Sequence, residues 1–113
     1  MMKFAAMIAG LTMTVAAPTL RANPAHDQLA GMSITQRASA LASLLRASDE
    51  TCPSAKRTFY QGSDNNGNAF WNVECSGGSA YVIQVNNDAR GSTRILSCKA
   101  LKAVAGTNCF RKL

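Results

Sequence analysis

The sequence predicts a small α+β domain in which one N-terminal helix packs on a four-stranded antiparallel sheet, with a short C-terminal helix and two disulfides. Three observations carry this reading. Apolar residues recur at helical spacing between positions 34 and 47. From position 56 onward the pattern changes to alternation, broken by clusters of Gly, Asn, Asp and Ser. All four cysteines, Cys52, Cys75, Cys98 and Cys109, lie beyond an N-terminal stretch with the makeup of an export signal.

In that stretch an early cation, Lys3, precedes an uncharged run from Phe4 to Leu20 rich in Ala, Met and Leu, the pattern of a signal peptide. Ala22 supplies the small residue a cleavage site needs, so residues 1–22 are read as signal peptide with Asn23 leading the mature chain. Ala16 and Ala17 also qualify, although Pro18 disfavours a cut after Ala17. The run is short of the roughly 20 apolar residues of a membrane span, so no stable membrane insertion is expected after cleavage. No cysteine lies near the cut, which argues against a lipoprotein. The mature part keeps 91 of the 113 residues, ten of the twelve Lys and Arg, and all six acids, so its formal charge falls from +6 to +4. A core of that size gives modest stability alone, and covalent staples make physical sense.

Residues 23–33, with Pro24, Gly31 and no sustained period, are expected to form a flexible lead-in, and residues 34–113 the single domain. Ser33 or Thr35 can cap a helix over 34–47 that places Ile34, Ala38, Leu41, Leu44 and Leu45 on its inner side. Arg37, Ser39, Ser43 and Arg46 are expected on the other. The run Ser48 to Pro53 ends it.

Strands are expected at Thr58–Gln61, Phe70–Cys75, Ala80–Val85 and Thr93–Cys98. The first two flank a polar loop, Ser63–Asn68, where Asn66-Gly67 is a hairpin signal. Between the second and third, a three-residue loop pairs Val73 with Tyr81 and Trp71 with Ile83. Trp71, Val73, Cys75, Tyr81, Ile83 and Val85 then share a face, whereas a two-residue turn mixes polar and apolar groups there. Asn86–Ser92 reads as a turn, and the inward residue of the fourth strand is either Ile95 or Leu96. Lys99–Ala105 fits a short helix with Leu101 and Val104 inward, stopped by Gly106.

A two-turn helix followed by a reversal returns Cys109 to Cys98, which leaves Cys52 with Cys75. The sequence keeps both other pairings open, a cross-strand Cys75–Cys98 bridge among them. A four-thiolate zinc site is disfavoured, because the spacings are 23, 23 and 11 with no C-x-x-C knuckle. The same absence excludes thioredoxin-like exchange and covalent haem attachment. No cofactor is expected.

The pattern of Trp71, Val73 and Cys75, then Tyr81, Ile83 and Val85, then Gly91-Ser92-Thr93, Cys98 and Cys109-Phe110, resembles that of a group of small, functionally uncharacterised exported proteins of proteobacteria. The resemblance covers roughly Phe59 to Phe110; it implies a periplasmic setting and no activity. A helix on a four-stranded antiparallel sheet is similar in shape to cystatin-like and PepSY-like modules, but many functions share that shape.

Candidate sites are few. His26, the single histidine, falls in the lead-in, where nothing is expected to hold it against a nucleophile. Asp64, Asn66 and Asn68 alternate as calcium ligands do, but Ala69 and Cys75 stand where such a loop needs Gly and Glu, so a hairpin turn is the reading. Of the acids Asp49, Glu50, Asp64, Glu74 and Asp88, most lie in turns, and Glu74 alternates outward. The basic residues Arg90, Arg94, Lys99, Lys102, Arg111 and Lys112 crowd the last quarter of the chain and can form a basic edge toward anionic partners. If Trp71 is core, Phe70 faces out, and Phe59 or Tyr60 can extend an aromatic surface from it. The expected partner surface is therefore Phe70, Arg90, Arg94, Lys99 and Lys102. Function is expected to be that of an exported, non-enzymatic interaction or accessory module of the bacterial envelope, periplasmic or extracellular, binding a protein or an anionic envelope component and not nucleic acid. The alternatives are a secreted enzyme inhibitor acting through Ser63–Asn68, and a small hydrolase.

Overall fold

The computed structural model describes residues 23–113; the signal peptide read over residues 1–22 lies outside the described residues. The elements run α1 (Pro24–Ala30), α2 (Ile34–Ala47), β1 (Ala55–Ser63), β2 (Ala69–Cys75), β3 (Ala80–Val85), β4 (Thr93–Ser97) and α3 (Cys98–Ala105). The four strands form one antiparallel sheet in the order β1-β2-β3-β4, the simplest meander.

α2 begins where a capping box satisfies its first donors: Ser33 Oγ accepts from Gln36 N at 3.1 Å, and Gln36 Oε1 accepts from Ser33 N at 3.2 Å. Its bounds match the expected helix. Leu41, Ala42 and Leu45 are buried against the sheet. Ile34, expected inward, is 76% exposed. The Arg37 guanidinium donates to the carbonyls of Leu29, Ala30 and Met32, closing the C-terminal end of α1, and lies 5.0 Å from the Trp71 ring centre. Its position on the expected solvent side is thus corrected too.

The flexible lead-in expected over 23–33 contains a helix. Asn23 caps α1, accepting from His26 N through Oδ1, while its Nδ2 donates to the carbonyls of Gly67 and Val85. Pro24 occupies the first helical position, where its missing N–H costs nothing. Leu29 enters the core. Gly91, in the β3–β4 turn, has φ 65° and lies so close to α1 that a Cβ there would meet Ala25 Cβ at 2.8 Å. Only glycine lets the turn and the helix approach this closely.

The β2–β3 register pairs Trp71 with Ile83 and Val73 with Tyr81, as the three-residue loop requires. Ala69, Trp71, Val73, Cys75, Tyr81, Ile83 and Val85 form the inner face, packed with Leu29, Leu41 and Leu45 into one core. Ile95 joins it and Leu96 points outward, which settles the ambiguity in β4. β1 is longer than Thr58–Gln61, running from Ala55 to Ser63. A bulge interrupts it: Tyr60 pairs with Trp71 and Gly62 with Phe70, so Gln61 is the extra residue.

Disulfides join Cys52 to Cys75 and Cys98 to Cys109. The first ties the segment after α2 to the end of β2, and the second folds the C-terminal tail back across the sheet's outer face. Two buried amides hold that tail. Asn72 Oδ1 accepts from Phe110 N at 2.6 Å, its Nδ2 donates to Gln61 Oε1, and Gln61 Nε2 donates to Asn108 O. α3 is capped by Ser97 and ends at Gly106 in the left-handed region. Val104, expected inward, is 77% exposed. The side of α3 toward the sheet runs through Leu101 and Ala105, which leaves Val104 beyond its edge.

Candidate functional site

Strand alternation sends Phe70 to the face opposite Trp71. The register places Gln84 beside it and Arg94 beside Gln84, a row crossing three strands; the next row is Asn72, Val82 and Leu96. α3 follows β4 directly, and the tail returns along β1, where Leu113 N donates to Gln61 O at 3.0 Å. Between these two walls lies a groove of about 450 Å³. Its apolar lining includes Phe70, Val82, Leu96, Leu101 and Leu113, and Arg94 stands on its lip.

The polar groups of the groove are mostly engaged inside the fold. Gln61 is bonded to Asn72 and Asn108, and Gln84 Nε2 donates to Asn86 Oδ1 at 2.7 Å. Thr107 Oγ1 donates to Ala105 O. The Asp64 carboxylate accepts from Asn66 N, Asn68 N and Asn68 Nδ2. Burial pushes that carboxyl upward, but the bonds from Asn68 and Asn66 prevail and hold it below the usual carboxylate range. Among the described residues Arg94 has no hydrogen-bond or ion-pair partner, and it is exposed.

Of the five residues expected to form a partner surface, the fold brings Phe70 and Arg94 together. Arg90 sits in the turn packed on α1. Lys99 lies beside the β2–β3 loop with Gly77 and Gly78, and Lys102 Nζ reaches Asn108 Oδ1 at 3.3 Å. The cations are thus distributed around the sheet instead of forming one edge. Phe59 packs on Phe110, whereas Tyr60 points to the other face, so neither extends Phe70. Glu74 pairs with Arg57 at 3.2 Å across β1 and β2.

The turn expected in place of a calcium loop is built by Asp64, and Asn87 braces it, its N–H donating to Asn68 Oδ1 and its Nδ2 to Asn66 O. Asp88 plays the matching part in the β3–β4 turn: bonds from the Ser92 hydroxyl and N–H hold its carboxyl below the ordinary value.

His26 is held, contrary to its expected mobile setting. Trp71 Nε1 donates to His26 Nδ1 at 3.0 Å, and the Tyr60 ring centre is 4.8 Å from the imidazole. This geometry requires a neutral imidazole with its proton on Nε2. Burial pushes its pKa below 6.5, the neighbouring Asp27 opposing. Arg37 over Trp71 and Lys112 over Tyr60 are the cations of this cluster. The unfolded chain therefore takes up this proton first as pH falls. Stability present above pH 6.5 is lost as acid carries the protein from there toward the lower folded-state value. Urea unfolding between about pH 7 and 5 should show this slope, and His26→Leu should flatten it. An equal slope in the variant would show that His26 does not titrate there. The sequence signal for this missed cluster was Asn23-Pro24, a helix cap followed by a first-turn proline.

Comparison with known protein families, curated proteins and solved structures finds no match for this chain.

Proposed function

We propose that the chain is an exported, non-enzymatic binding module of the bacterial envelope whose recognition site is the groove between α3 and the C-terminal tail. One observation carries this reading: uncovered apolar side chains stand beside an uncommitted cation on a face braced by a disulfide. The oxidised cysteines fit a compartment outside the cytosol. The periplasmic setting implied by the sequence resemblance belongs to the same proposal. So does cleavage after Ala22, which keeps Asn23, the cap of α1, in the mature chain.

The test is capture from native envelope extracts under mild crosslinking, with Phe70→Ala and Arg94→Glu beside the unmodified protein. Both variants should fold with unchanged melting and lose most of the captured material, by about tenfold or more for a groove centred on these residues. Equal recovery in all three would remove the groove as the site.

A further inference from the structure

We infer that the groove binds a single-chain anionic amphiphile, an acyl tail along the trough with its carboxylate on Arg94. The inference rests on the proposed binding role of the groove and specifies its ligand. Four facts lead to it.

The lining of the trough is mostly apolar, with Phe70, Val82 and Leu96 on its floor, Leu101 on the α3 side and Leu113 on the tail side. At roughly 30 Å³ for a small group, the share of one liquid water, its volume holds on the order of a dozen methylenes. The net charge of the mature chain is positive, and the one charged donor without a partner among the described residues lining the groove is Arg94, whose planar guanidinium matches a carboxylate in two-point contact. The remaining side-chain polar groups, those of Gln61, Gln84, Asp64 and Thr107, already have partners within the fold.

This last fact selects against a peptide in the trough. Each peptide unit brings an N–H and a C=O that need partners once water is excluded, and the floor offers too few, with Gln61, Gln84 and Thr107 each already bonded within the fold. An acyl chain makes no such demand beyond its head. An extended peptide has a different place to go, the outer edge of β4, which ends the sheet.

Titration of the oxidised protein with dodecanoate below its micelle concentration, followed by calorimetry and by amide chemical shifts, tests the inference. One-to-one binding is expected, with shifts confined to the groove: Phe70 of β2, Val82 and Gln84 of β3, β4, α3 and the tail. Decanoate should bind roughly tenfold more weakly for its two missing methylenes. Dodecanol, which keeps the tail and loses the charge, should bind about tenfold more weakly than dodecanoate. Arg94→Gln should make acid and alcohol equal, and Leu96→Glu should abolish both. Dodecyl phosphate in place of dodecanoate reports which anionic head is preferred; either head bound through Arg94 supports the inference. Affinity independent of chain length, or unchanged in Arg94→Gln, would overturn it. So would a peptide that binds by protecting β4 amides while dodecanoate does not bind. If no amphiphile binds yet capture still depends on Phe70 and Arg94, the ligand class is wrong and the binding role stands; if neither is seen, both fall.

Discussion

Trp71→Ala is expected to cost about 3–5 kcal/mol, the largest loss from any single substitution in this chain. Trp71 is 4% exposed at the centre of the inner face, and it touches three separate parts of the chain. Its indole N–H bonds His26 of α1, its ring lies under Arg37 of α2, and it packs on Tyr60 of β1. Truncation leaves a cavity and removes the anchor of α1 together. Urea unfolding should show a midpoint far below that of the unmodified protein. Hydrogen exchange should show the α1 amides losing protection before those of β2 and β3, because α1 is short and His26, one of its few anchors, loses its partner. A loss under about 1 kcal/mol would mean that the indole is not the keystone described here.

The second large effect is covalent. Replacing Cys52 and Cys75 together by alanine should cost about 3 kcal/mol, the chain-entropy value for a closed loop of 23 residues. Both half-cystines are fully buried, so lost packing adds to the entropic effect. For a domain of this size, whose total stability is on the order of 5–14 kcal/mol, that is a large fraction. Thermal melts with and without reductant measure it. The unmodified protein should lose much of its melting temperature on reduction, and the double variant, with only Cys98–Cys109 left to break, should lose less. Equal sensitivity in both would place the stabilisation elsewhere.

The parts of this fold that were legible in the sequence are those whose cause is local. A cap at Ser33 or Thr35 and the Leu41–Leu45 spacing mark α2, and the short loop after Cys75 dictates that Trp71 faces Ile83. Local geometry favoured the Cys98–Cys109 bridge, because a short helix separates Cys98 from its return, whereas Cys52–Cys75 came by elimination with the other pairings still open. What was missed depends on distant partners. α1 has a cap in its sequence, but the groups that hold Asn23 are Gly67 and Val85, and Trp71 is what fixes His26. Ile34 and Val104 follow the apolar period yet stay exposed, since periodicity gives the phase of a helix and says nothing of where its neighbour ends.

The candidate site divides in the same way. That Phe70 faces out was readable from strand alternation, but its row with Arg94 was not, because the sequence left the face of β4 open between Ile95 and Leu96. The walls of the groove were not readable, for they depend on the buried Gln61 and Asn72 amides that hold the tail, and on a bulge that inserts Gln61 into β1. Charge counting along the chain grouped Arg90, Lys99 and Lys102 with Arg94, but neighbours in sequence are dispersed by the β3–β4 turn and by the entry into α3.

Scaffold and groove alike require that the chain be crosslinked in one particular pattern, since one bridge ties the core and the other folds the tail that walls the groove. Proteolysis of the native protein with thiols blocked, followed by mass spectrometry without reduction, reads that pattern directly. The account predicts Cys52 linked to Cys75 and Cys98 linked to Cys109 in the same molecule. Four unlinked thiols, a metal held by them, or a Cys75–Cys98 link would contradict it.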